Sequence, residues 1–228
     1  MMCTQALMRA TILIILIILF TPATWAVRSF NKSWTLLTLT GNYGSFLYNI
    51  EPQLRIVEQP NPFQQFLTNA SGGYNVTPDW QLWFGQAVTT VSQDAIPGSV
   101  DEYRIWQQAV WNKQLFNMNF SSRNRIEERR SFGFSDWAFR FRSRGLLSVP
   151  LTQNIALEAA DEILINLKDV QWLTTGTWDQ NRASLSLVQQ ISESCAISVG
   201  YMNQYLFIIN NPQSDHVLLM NLRFNLPE

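Results

Sequence analysis

The chain has 228 residues, of which 46% are hydrophobic, 13% aromatic and only 14% charged, with a formal net charge of −1. That balance excludes the electrostatic footprint of a nucleic-acid binder or a polybasic membrane contact. A single histidine and two cysteines argue against any His/Cys metal site, and no cofactor is expected.

The first element along the chain is a targeting segment. "MMCTQALMR" carries one positive charge, Ala10 to Phe20 is unbroken apolar sequence, and Pro22 precedes the small residues Thr24 and Ala26. This order predicts a secretory signal peptide over residues 1–26, followed by one domain over 27–228. The apolar core is short against the roughly 20 residues a spanning helix needs. Removal of Cys3 leaves Cys195 alone, so no intrachain disulfide is expected. No second long apolar run follows, which excludes a helical membrane protein.

Thereafter apolar and polar residues alternate with period two, in runs bounded by turn-type residues. The spacing predicts strands over 46–57, 63–76, 79–91, 100–112, 115–130, 136–149, 152–166, 178–190, 194–207 and 214–225. A shorter run, "SWTLLTLT" (33–40), has no evident mate. Composition favours a helix at 155–167, but neighbours of matching strand length make it a strand. The connections "TP" (77–78), "NK" (113–114), "VPLT" (149–152) and "SES" (192–194) are short. Those at 58–62, 92–99, 131–136, 168–178 and 209–214 are generally longer. Short turns at one end and longer loops at the other mark an antiparallel transmembrane β-barrel of the outer membrane, short side to the periplasm. Five longer loops imply about ten strands. Counting 33–40 gives eleven, against the even-number rule, so this run either has an unseen mate that makes twelve or is an N-terminal segment packed at the barrel mouth.

Seven of the thirteen arginines fall between Ser122 and Arg144. On a strand, Arg140, Arg142 and Arg144 point one way while Phe139 and Phe141 point the other. The same split recurs along the chain. Its polar phase collects Glu51, Arg55, Glu102, Arg104, Arg123, Arg125, Glu127, Arg140, Arg142, Arg144, Glu158, Glu162, Arg182 and Arg223. Two closed shapes hold such a pattern. A soluble, lipocalin-like periplasmic binder turns the apolar face inward; a membrane barrel turns it to lipid. After the signal segment, twelve arginines stand against three lysines. Arginine suits planar, bidentate pairing in poorly hydrated spaces. Adjacent runs also alternate in sign, so antiparallel neighbours bring carboxylates beside guanidiniums. A lumen filled by an Arg–Glu lattice follows. Trp34, Trp80, Trp83, Trp111, Trp137, Trp172 and Trp178 fall near strand ends or in loops, the positions of an interfacial girdle.

The ordered set "EYRIWQQ" (102–108), "RNRIEERR" (123–130), "FRFRSR" (139–144), "DEILIN" (161–166), "DQNR" (179–182) and "GYMNQY" (200–205) resembles the domain of unknown function 2490. The resemblance spans about 33–225 and implies a small bacterial outer-membrane barrel, with no established activity. It puts Glu162 and Asn166 in the polar set and leaves Asp161 on the apolar face.

A barrel-embedded lipid A or phospholipid acyl hydrolase or transferase would need an activated nucleophile. The only catalytic candidates are Ser214 and His216, and Asp215 beside them points to the opposite face of the strand. Structural ion pairing is the simpler account of the glutamates. The sequence therefore reads as a non-enzymatic scaffold or narrow pore in the cell outer membrane. Its expected partners are outer-membrane lipids and the barrel assembly machinery. The acyl enzyme and the soluble binder are the alternatives.

Overall fold

In a computed structural model that describes residues 28–58, 63–92 and 101–227, eleven strands close into one barrel. The predicted signal segment and most of the loops at 58–62 and 92–99 lie outside the described residues. The strands are β1 (Asn31–Tyr43), β2 (Phe46–Val57), β3 (Phe63–Asn75), β4 (Trp80–Val91), β5 (Glu102–Leu115), β6 (Met118–Ser131), β7 (Trp137–Pro150), β8 (Ile155–Asn166), β9 (Thr175–Ser192), β10 (Cys195–Ile208) and β11 (Gln213–Asn225). Each exceeds the roughly 9–11 residues that a tilted strand needs to cross a bilayer.

Consecutive strands pair antiparallel around the wall. An up-and-down chain with an odd strand count ends pointing the way it began. The closing seam between β1 and β11 is accordingly parallel, from Asn31↔His216 to Thr40↔Asn225. This settles the strand count: the run at 33–40 is part of β1, and there is no twelfth strand among the described residues. Leu36, Leu37 and Leu39 put apolar groups on both faces of β1, which hides the alternation that marks its neighbours.

The five short connections share one rim: 44–45, 76–79, 116–117, 151–154 and 193–194. Gly44 makes the first possible, with a φ of 56° that side chains rarely adopt. The turn expected at 113–114 lies instead at Phe116–Asn117, because β5 and β6 stay paired as far as Leu115↔Met118.

The outer wall is apolar and bears aromatic groups at both ends. Near the short-turn rim, Phe46 and Tyr74 meet with ring centroids 5.2 Å apart, and Trp111 lies 6.4 Å from Trp80 and 5.9 Å from Phe120. Near the long-loop rim Phe207 packs against Trp178 at 6.3 Å and Tyr205 at 4.8 Å. Trp137 opens β7 at that rim, and Trp172, in the loop after β8, donates to the Asp136 carbonyl at 3.3 Å. Two tryptophans depart from the expected girdle. Trp34 is buried inside the barrel, and Trp83 shares the inward phase of Gly85 and lies over Gly73. Both were misplaced because nearness to a strand end says nothing about which face a residue takes.

Candidate functional site

Inward-facing side chains from all around the wall enclose a cavity of about 600 Å³. Glu51, Arg55, Glu102, Arg104, Arg123, Arg125, Glu127, Arg140, Arg142, Arg144, Glu158, Glu162, Arg182 and Arg223 all line it. The strand register explains their convergence. Arg140 faces Glu127 on β6, Arg144 faces Glu162 on β8, and Glu162 faces Arg182 on β9.

Four carboxylates act as nodes. Glu127 takes Arg140 at 2.5 Å and Arg142 at 2.7 Å, with Arg125 at 3.7 Å. Glu162 is shared by Arg123 at 2.6 Å, Arg142 at 2.8 Å and Arg182 at 3.5 Å. Glu102 pairs with Arg104 on its own strand and with Arg129 at 2.5 Å. Glu158 accepts a two-pronged contact from Arg223, at 3.0 and 2.8 Å, across the lumen from β11. Arg140 reaches a fifth acid, Asp179, at 2.7 Å.

Three pairs of arginines are direct cross-strand partners in the register: Arg104↔Arg129, Arg125↔Arg142 and Arg123↔Arg144. Like charges so placed repel. Glu102 bridges the first pair and Glu127 touches both members of the second. Aromatic faces hold further cations: the Arg125 guanidinium lies 3.6 Å from the Trp106 ring centroid, and that of Arg55 lies 3.8 Å from Trp34. Trp106, fully buried, donates to Asn69 at 2.9 Å, which in turn donates to Glu51 at 2.7 Å. Not every member of the predicted lattice is ion-paired. Among the described residues Glu51 is met by an amide, Arg55 by Gln53, Gln65 and Trp34, and no ion pair reaches Arg144.

The lumen carries a charge of its own. Among the described residues eleven cationic side chains line it: Lys32, Arg129 and the nine arginines of the predicted set. Seven carboxylates answer them: Glu51, Glu102, Glu127, Glu158 and Glu162 in the wall, Asp179 on Arg140 and Asp215 on Lys32. Four positive charges are left over, although the whole chain is slightly acidic. The two halves also differ in access. Towards the long loops the side chains of Glu127 and Arg140 are 1% and 4% exposed, whereas towards the short turns those of Arg123 and Arg223 are 25% and 34% exposed.

Several of these residues escaped sequence reasoning. Lys32 and Trp34 were lost with β1. Arg129 is in phase with Arg123, Arg125 and Glu127, a signal that sufficed to find it. Asp179 has the wrong phase for Arg182 and turns inward at a bulge, where Leu164 pairs with Gln180 but Ile165 with Trp178.

Ser214 and His216 lie outside this lumen, on the wall near the long-loop rim. The Ser214 hydroxyl accepts from Asn203 at 2.9 Å, and His216 Nδ1 sits 2.6 Å from the Tyr201 hydroxyl. Asp215 points inward, buried against Lys32 at 2.6 Å. The three residues do not form a nucleophile–base–acid relay. Asp161 is exposed in the middle of β8, bonded by Asn181 at 2.9 Å, with Gly145 and Ala183 beside it.

The family model described as protein of unknown function (DUF2490) matches residues 31–215. An uncharacterized protein of Methylorubrum extorquens is 28% identical over 195 residues, 83% of this chain and 85% of its own. Among solved structures, the NanC porin superposes with a TM-score of 0.57 at 11% identity, covering 84% of this chain and 91% of that one. That likeness is one of fold.

Proposed function

Since the chain belongs to the DUF2490 family of proteins of unknown function, we propose its role from its own lumen: a narrow outer-membrane pore that favours anions. The observation that carries this reading is the excess of four positive charges inside a barrel whose chain as a whole is slightly negative. A low-dielectric wall around a cationic lumen focuses that charge and raises the local anion concentration. Aromatic belts at both rims and an apolar wall between them support a bilayer setting. The short-turn rim then faces the periplasm.

Folded protein in a planar bilayer under a potassium chloride gradient should show small unitary currents with a reversal potential displaced towards chloride. Silence in bilayers that demonstrably contain the folded barrel would rule out the pore and leave a scaffold.

The bilayer setting has its own test at Asp161, whose carboxylate faces outward from the middle of β8. A charge on a lipid-facing wall is destabilising, less for Asp than the about 2–4 kcal/mol of Arg or Lys. Asp161→Leu should therefore stabilise the barrel by about 1–2 kcal/mol in urea unfolding from lipid vesicles. A loss of stability would place that part of the wall outside hydrocarbon.

A further inference from the structure

The short-turn half of the lumen contains the guanidinium pair that no carboxylate bridges. Arg123 and Arg144 face each other on β6 and β7. Glu162, which stands opposite Arg144 on β8, spends its ion pairs on Arg123, Arg142 and Arg182. Glu158, four residues nearer the short-turn rim on the same strand, is held by both outer nitrogens of Arg223. Among the described residues, no side-chain hydrogen bond or ion pair engages the Arg144 guanidinium, whose backbone stays in the β6–β7–β8 ladder. The charges felt most strongly there are Arg123, then Glu162 and Glu158, then Arg223.

A cation facing a second cation inside a barrel wall is unfavourable unless an anion joins them. Here the space for one exists. Arg123, Arg144 and Arg223 all line the cavity of about 600 Å³, and Arg123 and Arg223 are the most exposed of its ion-paired cations. Ser186 and Ser198 line the same cavity. A guanidinium offers its N–H groups as a planar fork matched to two oxygens of one acid group.

We propose that Arg123 and Arg144, with Arg223 beside them, form a binding site for a small oxyanion presenting a carboxylate or phosphate group. The site deepens the pore reading, placing a resting point for the permeating anion on the periplasmic side of the tighter half. It does not require conduction, because binding to the folded barrel in detergent is measured without a membrane.

The test compares inorganic phosphate, acetate and chloride at matched ionic strength, by calorimetry on the detergent-folded protein. Phosphate or acetate should bind in about one equivalent while chloride does not. Arg144→Gln should weaken that binding by about tenfold or more, the loss expected for one charge-assisted contact. Because Arg144→Gln removes a repulsion with Arg123, it should keep the heat-modifiable gel mobility of the folded barrel. Lys113→Gln, exposed near the short-turn end of β5 and absent from the cavity lining, should bind as the parent does. If Arg144→Gln does not fold, Arg144→Lys serves instead: it keeps the charge but loses the fork, and should bind several-fold more weakly. Equal effects of all three salts, or unchanged phosphate and acetate binding in the folded variant, would overturn the site. Binding of phosphate but not acetate identifies the phosphate group as the ligand chemistry; the reverse identifies the carboxylate. A barrel that binds the oxyanion yet never conducts keeps the site and loses the pore, and one that conducts without binding does the opposite.

Discussion

Glu127→Gln should cost about 3–5 kcal/mol of barrel stability, the range for breaking a buried ion pair by removing one partner. Glu127 is 1% exposed and is the acceptor for Arg140 and Arg142, with Arg125 close by. A neutral amide keeps the shape but leaves these guanidiniums facing one another, and raises the excess positive charge of the lumen. Arg140 retains Asp179 and Arg142 retains Glu162, so the loss falls short of abolishing the fold. Urea unfolding of the refolded protein measures it. Adding Arg140→Gln should recover part of the loss, since the two side chains are directly coupled. A single variant within about 1 kcal/mol of the parent would mean the lumen is hydrated enough to screen the lattice.

The second large effect belongs to Gly85. A Cβ at this position would fall within the indole of Trp106 and against Ser71, so Gly is the residue that lets the ring cross β4 to reach Asn69 on β3. Gly85→Val should cost about 3 kcal/mol by overpacking. Trp106→Ala should cost about 3–5 kcal/mol, through the cavity it leaves and the lost support of Arg125. The two costs should not add: with the ring gone, valine has room, and Gly85→Val in the Trp106→Ala background should be nearly neutral. Additive losses in a double-mutant cycle would show that the ring does not lie where Gly85 admits it.

How much of this was legible depended on how cleanly each strand alternates. On β6 and β7, arginine and phenylalanine occupy opposite phases, so both the face and the neighbours of Arg125, Glu127, Arg140 and Arg142 could be read directly. Turn and loop lengths gave the two rims. On β1, leucines on both faces erased the period, and with it went Lys32, Trp34 and the odd strand count. Asp179 was hidden for a different reason: a bulge is a local change of phase, and its pairing depends on β8 rather than on β9 alone. The cationic excess was invisible in composition, because acids such as Glu58, Asp79, Asp101, Asp136 and Asp169 sit at the rims and cancel it in the total. Nor could the period show which arginine lacks a partner. That follows from three guanidiniums converging on Glu162, a matter of side-chain reach.

The parallel seam has a consequence for how such a barrel is built. Strands β2 to β11 can enter a membrane as hairpins, each needing only a loop to be carried across. In the orientation proposed here, the leading end of β1 finishes at the far rim from the close of β11, and no hairpin delivers it. It must cross as a free end, threaded like an exported polypeptide, before the wall can seal. Asn31 therefore starts the wall at the long-loop rim and Asn225 closes it at the short-turn rim, so β1 is the one strand whose start must be carried across alone.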